Sequence, residues 1–210
     1  MHTAWDERAR RDGMYAVLSD RWTPAQCAAV DRGQKKTLVE ALPRLRGKTV
    51  LDVGCGIGRL SHWLAAEAEF VTGVDSSLRM VTRARGASSA ANTAFVCGRA
   101  EALPFRSAAF DLALTTAVLQ HVVSEDAYER ACAEAVRVLR PGGALVCFEG
   151  AASDTAPAVR TTATTTVHRP LAAYVRALGP AVQLDQVRSV NCLGDEYTVM
   201  RWTRVGKAVA

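Results

Sequence analysis

Val50–Leu60 reads VLDVGCGIGRL, and its two halves call for different backbones. With Thr49 in front, the first half is a run of β-branched and apolar residues of the right length for one buried strand. The second half sets glycines at 54, 56 and 58, a turn whose backbone can take positive φ and come close to a bound molecule. Leu60, Trp63, Leu64 and Ala68 then recur at helical spacing, so an amphipathic helix begins at the turn. Its free N–H groups face the glycines and favour negative or electron-rich groups, which makes the stretch a ligand cradle.

The spacing narrows the ligand. A dinucleotide fingerprint, G-x-G-x-x-G, needs its third glycine at position 59, and that residue is Arg59. Asp52, two residues before the first glycine, would repel a pyrophosphate but attract an α-ammonium and a sulfonium. Nothing in the chain reads G-x-x-x-x-G-K-[ST], which removes the phosphate loop of ATPases. S-adenosylmethionine (SAM) fits these constraints better than NAD or ATP.

VLDVGCGIGRL resembles the first motif of class I SAM-dependent methyltransferases. The likeness continues in family order through GVDSSLRMVTRAR (73–85), EALPF (101–105), FDLALTTAVLQHV (110–122) and RVLRPGGALVCFE (137–149). It is strongest to the small-metabolite branch, whose members carry a Leu-x-His or Gln-His pair after the fourth strand, here Leu119, Gln120 and His121. The resemblance implies an α/β fold: a single doubly wound, Rossmann-like domain on a seven-stranded, mostly parallel sheet with an antiparallel C-terminal hairpin. It further implies a helical cap or lid over 1–48 and the SAM-dependent domain over 49–210, one compact body overall. On the cofactor it places Asp52, Gly54, Cys55, Gly56 and Gly58 of the first motif, Ser76 after the second strand, and Thr116 after the fourth.

Composition bounds the alternatives. A chain of 210 residues with 49% hydrophobic and 22% charged residues is of ordinary globular type and long enough for a full α/β core. No apolar run reaches a membrane span and MHTAWDERARRDG has no signal-type apolar stretch, so a cytoplasmic location without membrane contact is expected. The six cysteines contain no C-x-x-C pair and read as reduced, mostly buried thiols, with no metal site expected. The net charge of +5 comes from a chain that uses arginine far more than lysine, as GC-rich coding produces. Only Arg8, Arg10 and Arg11 cluster, interleaved with acids, and no aromatic and basic stripe or known module argues for nucleic acid.

Taken in order, residues 1–22 hold Trp5, Tyr15 and Trp22, either a helix on the sheet's flank or part of a lid, with Tyr15 a candidate acceptor contact. Thr23, Pro24 and Gln26 form a helix start with a capping box; Gly33 is expected to interrupt that helix and Pro43 to stop it. Phe70–Val74 is a second strand ending at Asp75, 21 residues beyond Gly54, where an acid can accept both ribose hydroxyls or, alternatively, cap the helix that follows. A third strand, Thr93–Cys97, leads into Arg99, Ala100 and Glu101. Here the family commonly has an Asp for the adenine amino group, and Arg99 cannot accept a hydrogen bond. Either Glu101 takes over, or the backbone at Arg99 and Ala100 holds the adenine while the guanidinium stacks on it.

The fourth strand is Phe110–Thr115, and TTAV after it lacks the [DN]-P-P-[YF] of base-directed amino methyltransferases. Ser124 opens a helix that buries Tyr128, Ala131, Cys132, Ala135 and Leu139, and Ala144–Phe148 is the fifth strand. Residues 150–169, with Pro157, read as an irregular segment, followed by a helix from Pro170 to Leu178 and two strands, 182–190 and 196–205, joined by NCLGD. Methyl transfer from a sulfonium is an in-line displacement that mainly needs alignment and exclusion of water. If the acceptor is a hydroxyl, His121 is the candidate base, with a rate expected to rise through the imidazole range; the alternative is a histidine that only shapes the wall. Glu149 and His168 are further candidates to border the acceptor. The leading function is oxygen methylation of a small, secondary-metabolite acceptor. Nitrogen or carbon methylation, an RNA or peptide methyltransferase, and a non-catalytic SAM-binding protein remain as alternatives.

Overall fold

The computed structural model describes residues 4–19, 21–87, 90–150, 152, 158–161 and 164–206, and Pro157 lies outside them. Its elements are α1 (Ala4–Arg8), α2 (Pro24–Ala41), β1 (Thr49–Val53), α3 (Arg59–Leu64), β2 (Phe70–Asp75), α4 (Leu78–Ala87), β3 (Thr93–Cys97) and β4 (Phe110–Thr116). They continue as α5 (Glu125–Val138), β5 (Leu139–Gly150), β6 (Ala158–Thr161), β7 (Thr165–His168), α6 (Leu171–Leu178), β8 (Val182–Cys192) and β9 (Asp195–Arg204).

Seven strands form one sheet in the order β3-β2-β1-β4-β5-β9-β8. The pairs from β3 to β5 are parallel, while β9 runs antiparallel to both β5 and β8. This is the doubly wound Rossmann-like sheet with a terminal hairpin. The strands β1, β2, β4 and β5 are buried on both faces, which is why they read as nearly continuous apolar runs. Val50 and Leu51, both fully buried, point to opposite layers: Val50 joins Leu38, Leu64, Leu112 and Phe148 under α2 and α3, and Leu51 joins Tyr128, Leu145, Tyr174 and Met200 under α5 and α6. Between β1 and β4 the strand order reverses, and the crevice at their carboxyl ends is the ligand position of such sheets.

Three local expectations change. Gly33 does not interrupt α2: it sits on the exposed side, while Val30, Gln34 and Leu38 bury the other, and that packing outweighs the roughly 1 kcal/mol a helical glycine costs. The capping box of Thr23 and Gln26 is present, with Gln26 N–H donating to Thr23 Oγ1 at 3.3 Å and Thr23 N–H to Gln26 Oε1 at 2.8 Å. The 150–169 segment is not wholly irregular, because β6 and β7 pair antiparallel as a separate two-stranded ribbon. Leu139 leaves α5 in an extended conformation and opens β5 opposite Phe110. The C-terminal hairpin turns on Leu193 and Gly194, both with positive φ as a tight two-residue turn requires.

Candidate active site

The crevice is a cavity of about 390 Å3 at the carboxyl ends of β1, β2 and β4, within the range of small-ligand sites. The glycine turn forms its floor. Gly54 and Cys55 N–H both donate to Val74 carbonyl, at 2.7 and 3.0 Å, which folds the turn over β2. Gly54 (φ 70°) and Gly56 (φ 55°) are left-handed, and a Cβ at either would collide with Val118 or Val17 respectively, so only glycine keeps the floor open. Gly58 plays another part: it is not on the cavity wall, and a Cβ there would lie 2.7 Å from His62 Nε2 and 3.1 Å from Ala84 and Phe95. It lets α3 approach α4 and β3 rather than touching the ligand.

Two carboxylates face the cavity. Asp52 is buried and accepts Ser61 Oγ–H at 2.6 Å; burial pushes its carboxyl up to about 6 despite Ser61 and the nearby Arg59 charge, with Asp75 adding to the rise. Burial thus disfavours the charged form, and an ammonium beside it would favour that form. Asp75 accepts Gly56 N–H on Oδ2 at 2.9 Å and Ser77 N–H on Oδ1 at 2.8 Å, leaving lone pairs on both oxygens for ribose hydroxyls. Burial raises its pKa, with the Asp6 charge also acting upward. The capping alternative for Asp75 falls to Ser77 instead, whose Oγ accepts Met80 N–H at 3.2 Å at the start of α4. Ser76, Cys55 and Thr116 line the cavity as well, and burial pushes the Cys55 thiol far up.

At the third strand, Arg99, Ala100 and Glu101 all reach the wall. Arg99 Nε–H donates to Glu101 Oε1 at 2.6 Å, so the charge of Glu101 is answered from its own loop. Sequence reasoning passed over several wall residues. Arg59 binds Asp31 at 2.5 Å and Gln34 Oε1 at 2.7 Å, fastening α2 to the cradle. Val17, Val118 and Met80 carry no motif, and Ala117, left-handed at φ 54°, has no sequence signature; Trp5, one of the aromatics singled out for a lid, is on the wall.

His121 also lines the cavity, on a 3-10 turn formed by Leu119–His121. Its ring meets Trp5 edge to face, with centroids 4.8 Å apart. One ring nitrogen bonds the Thr165 carbonyl, and Nδ1 is buried with no partner among the described residues. The bonded nitrogen is therefore Nε2–H, which leaves the Nδ1 lone pair free. Burial pushes this imidazole down to about 4, reinforced by the Arg8 and His168 charges and opposed by the Thr165 carbonyl. The expected titration in the ordinary imidazole range is corrected accordingly: His121 stays neutral at physiological pH. Thr116 Oγ1 is a second buried wall atom without a partner among the described residues.

The other acceptor candidates lie elsewhere. Tyr15 packs, partly buried, with Leu18, Cys27 and Val30 and does not reach the wall. Glu149 is fully buried behind the His121 turn, where it accepts backbone N–H groups and not a ligand. His168, also buried, sits against Gly150 beside Gln120, and its charge acts on His121.

Residues 51–147 match the family model of the methyltransferase domain. Over that stretch, a little under half of the chain, the protein is a methyltransferase domain, consistent with the class I SAM-dependent type. It is 35% identical over 131 residues to a malonyl-[acyl-carrier protein] O-methyltransferase of Enterobacter lignolyticus, covering 62% of this chain and 50% of that one. Over 101 residues it is 37% identical to a ubiquinone biosynthesis O-methyltransferase of Sinorhizobium fredii, covering 47% of this chain and 40% of the relative. The chain thus spans half or less of the length of these curated relatives. Among solved structures, an S-adenosylmethionine dependent methyltransferase from Mesorhizobium loti superposes with a TM-score of 0.67 at 19% identity, over 80% of this chain and 96% of the other, a likeness of fold. The domain's cofactor is SAM, and the donor set suits it: Asp52 could meet the ammonium and Asp75 the ribose, the glycine floor has no room for side chains, and among the described residues the wall cations Arg59 and Arg99 are each paired with an acid.

Proposed function

We propose that this methyltransferase domain moves a methyl group from SAM to a hydroxyl oxygen of a small metabolite, with His121 as the base. The observation that carries the reading is the buried Nδ1 of His121, without a partner among the described residues, on the wall of the cradle's cavity. SAM supplies a methyl on positive sulfur, already activated for displacement. Asp52 and Asp75 hold the cofactor's amino-acid and ribose ends, and Thr116 offers a hydroxyl to the acceptor. His121 would take the acceptor's proton at Nδ1 as the new carbon–oxygen bond forms and the methyl–sulfur bond breaks, its electron pair leaving with the sulfur of S-adenosylhomocysteine, and would then release the proton to solvent. A base held down to about 4 suits an acidic hydroxyl, phenolic or enolic, better than an alkyl alcohol.

Trp5 and Val17 reach over the pocket, and Arg8 ties their segment together by donating to the Tyr15 and Leu18 carbonyls at 3.2 and 2.6 Å. Arg83 of α4 donates to the Ala9 and Arg11 carbonyls at 2.8 and 2.7 Å. These contacts support residues 1–48 acting as a cap that excludes water. That both curated relatives are named O-methyltransferases favours oxygen as the acceptor atom. The test is transfer of labelled methyl from SAM into a host extract that is then partitioned. Label in the small-molecule fraction, held as a methyl ether or enol ether, is expected; label confined to RNA or protein would overturn the reading.

A further inference from the structure

We propose that Glu149 and Arg169 are positioning residues that clamp the two ends of the Leu119–His121 turn and so fix the direction of the His121 imidazole. A single 3-10 turn cannot hold itself, since its first N–H groups and last carbonyls have no partners within it. Here both ends are met from outside. Glu149, fully buried at the end of β5, accepts the Val118 and Leu119 N–H groups on Oε1 and the Gln120 N–H on Oε2, all at 3.2 Å. Arg169, fixed just before α6 and 2% exposed, donates to the Leu119 carbonyl at 3.3 Å and the Val122 carbonyl at 3.0 Å. An anion at the N–H end and a cation at the carbonyl end is the favourable sense for the turn's dipole.

Each clamp is itself held. The Arg169 guanidinium lies 3.9 Å over the Tyr128 ring and bonds Glu125 Oε2 at 3.2 Å. Gln120 Oε1 accepts the Gly150 N–H at 2.7 Å, and Ala117 N–H donates to the Phe148 carbonyl at 2.7 Å, so the turn is stitched to the end of β5 from both sides of Glu149. A Cβ at Gly150 would lie 2.6 Å from the His168 ring and 2.8 Å from Gln120 Oε1, so even a methyl there would displace these side chains. His121 follows Gln120 directly, and its ring direction decides whether Nδ1 faces the cavity.

Burial pushes Glu149 up to about 7, with its three N–H donors pulling the other way. The ionisable groups around it are the Cys147 thiol of its own strand, the Cys132 thiol of α5, the Tyr174 phenol of α6, the His168 imidazole against Gly150 and the Arg169 guanidinium on the far side of the turn; burial raises the two thiols and the phenol, so none of those three exchanges a proton near neutrality. Protonating Glu149 takes away acceptor capacity and charge from the N–H end, and the clamp loosens as pH falls through about 7.

The inference rests on the reading that His121 meets the acceptor, but its test needs no acceptor. The full chain, labelled with 13C and 15N in histidine and loaded with S-adenosylhomocysteine, is titrated from about pH 5 to about pH 9 by NMR. In the wild type, His121 should remain the neutral Nε2–H tautomer, with its ring shifts passing through an inflection near 7 that belongs to Glu149. Glu149→Gln should abolish the inflection and mix the two tautomers, while S-adenosylhomocysteine affinity stays within about twofold. Arg169→Lys, which keeps the charge but cannot fork across two carbonyls, should mix the tautomers without removing the inflection. Wild-type tautomer and titration in both variants would overturn the clamp, even with lowered melting temperatures. Absence of methyl transfer by the wild type would overturn the function and leave this result untouched.

Discussion

Replacing Asp52 by Asn should make the ligand-free protein more stable and the cofactor-bound state weaker. Asp52 titrates at about 6 in the fold, against an ordinary carboxyl value of 3.8. The folded protein therefore holds a proton that the unfolded chain has already lost, and stability drains away as pH rises through that interval. The gap corresponds to about 3 kcal/mol by pH 8, an upper figure for what Asn would restore. Asn keeps an acceptor for the Ser61 hydroxyl, so that bond is not part of the loss. On the binding side, Asn removes the anion that meets the α-ammonium, at a cost of about 1.5–3 kcal/mol in affinity. Wild-type affinity should also fall below about pH 6 as Asp52 takes up its proton, and the variant's should not. Urea unfolding of both proteins without ligand, and calorimetry with S-adenosylhomocysteine across the same pH series, read the two effects. A variant no more stable than wild type at pH 8, or one with unchanged affinity, would refute the reasoning.

Gly56→Val would drive a side chain into Val17 and force a β-branched residue to φ 55°, so calorimetry should find S-adenosylhomocysteine binding weakened by about fivefold or more, from the roughly 1–3 kcal/mol of such strain, in a chain that still folds. Asp75→Ala should weaken the same ligand by about 1–3 kcal/mol, because its ribose hydroxyls lose their acceptor; equal affinities would leave Asp75 as a brace for Gly56 and Ser77 alone. NAD, titrated in parallel, should give no heat.

The fold was legible where a side chain's chemistry and its spacing coincide. Three glycines in five residues behind a β-branched run announce a strand turning into a helix, and Asp75 at the following strand end falls where the ribose is expected. The edge hairpin was legible too, because alternation breaks at Leu193 and Gly194 where the turn sits. Legibility failed where tertiary packing decides. Gly33 looks like a helix break in isolation, yet α2 runs on because its opposite side is buried. Glu149 reads as an active-site acid, but whether a strand-end carboxylate faces a cavity or backbone N–H groups depends on a loop 30 residues away. His121 was found by its place after β4, while its depressed pKa comes from burial under Trp5 and from Arg8, both far off in the chain. Ala117 and Val118 shape the pocket through backbone conformation and bulk, and neither leaves a pattern.

The most direct measurement is the turnover of labelled methyl from SAM to the small-molecule acceptor by wild type and His121→Gln at about pH 8, where Glu149 is ionised and His121 is neutral. Glutamine can fill the space and keep a hydrogen bond but cannot take up the acceptor's proton. The account requires kcat to fall by about 10² to 10⁴ with S-adenosylhomocysteine affinity unchanged. Turnover by His121→Gln near the wild-type rate would contradict it and leave His121 as part of the wall.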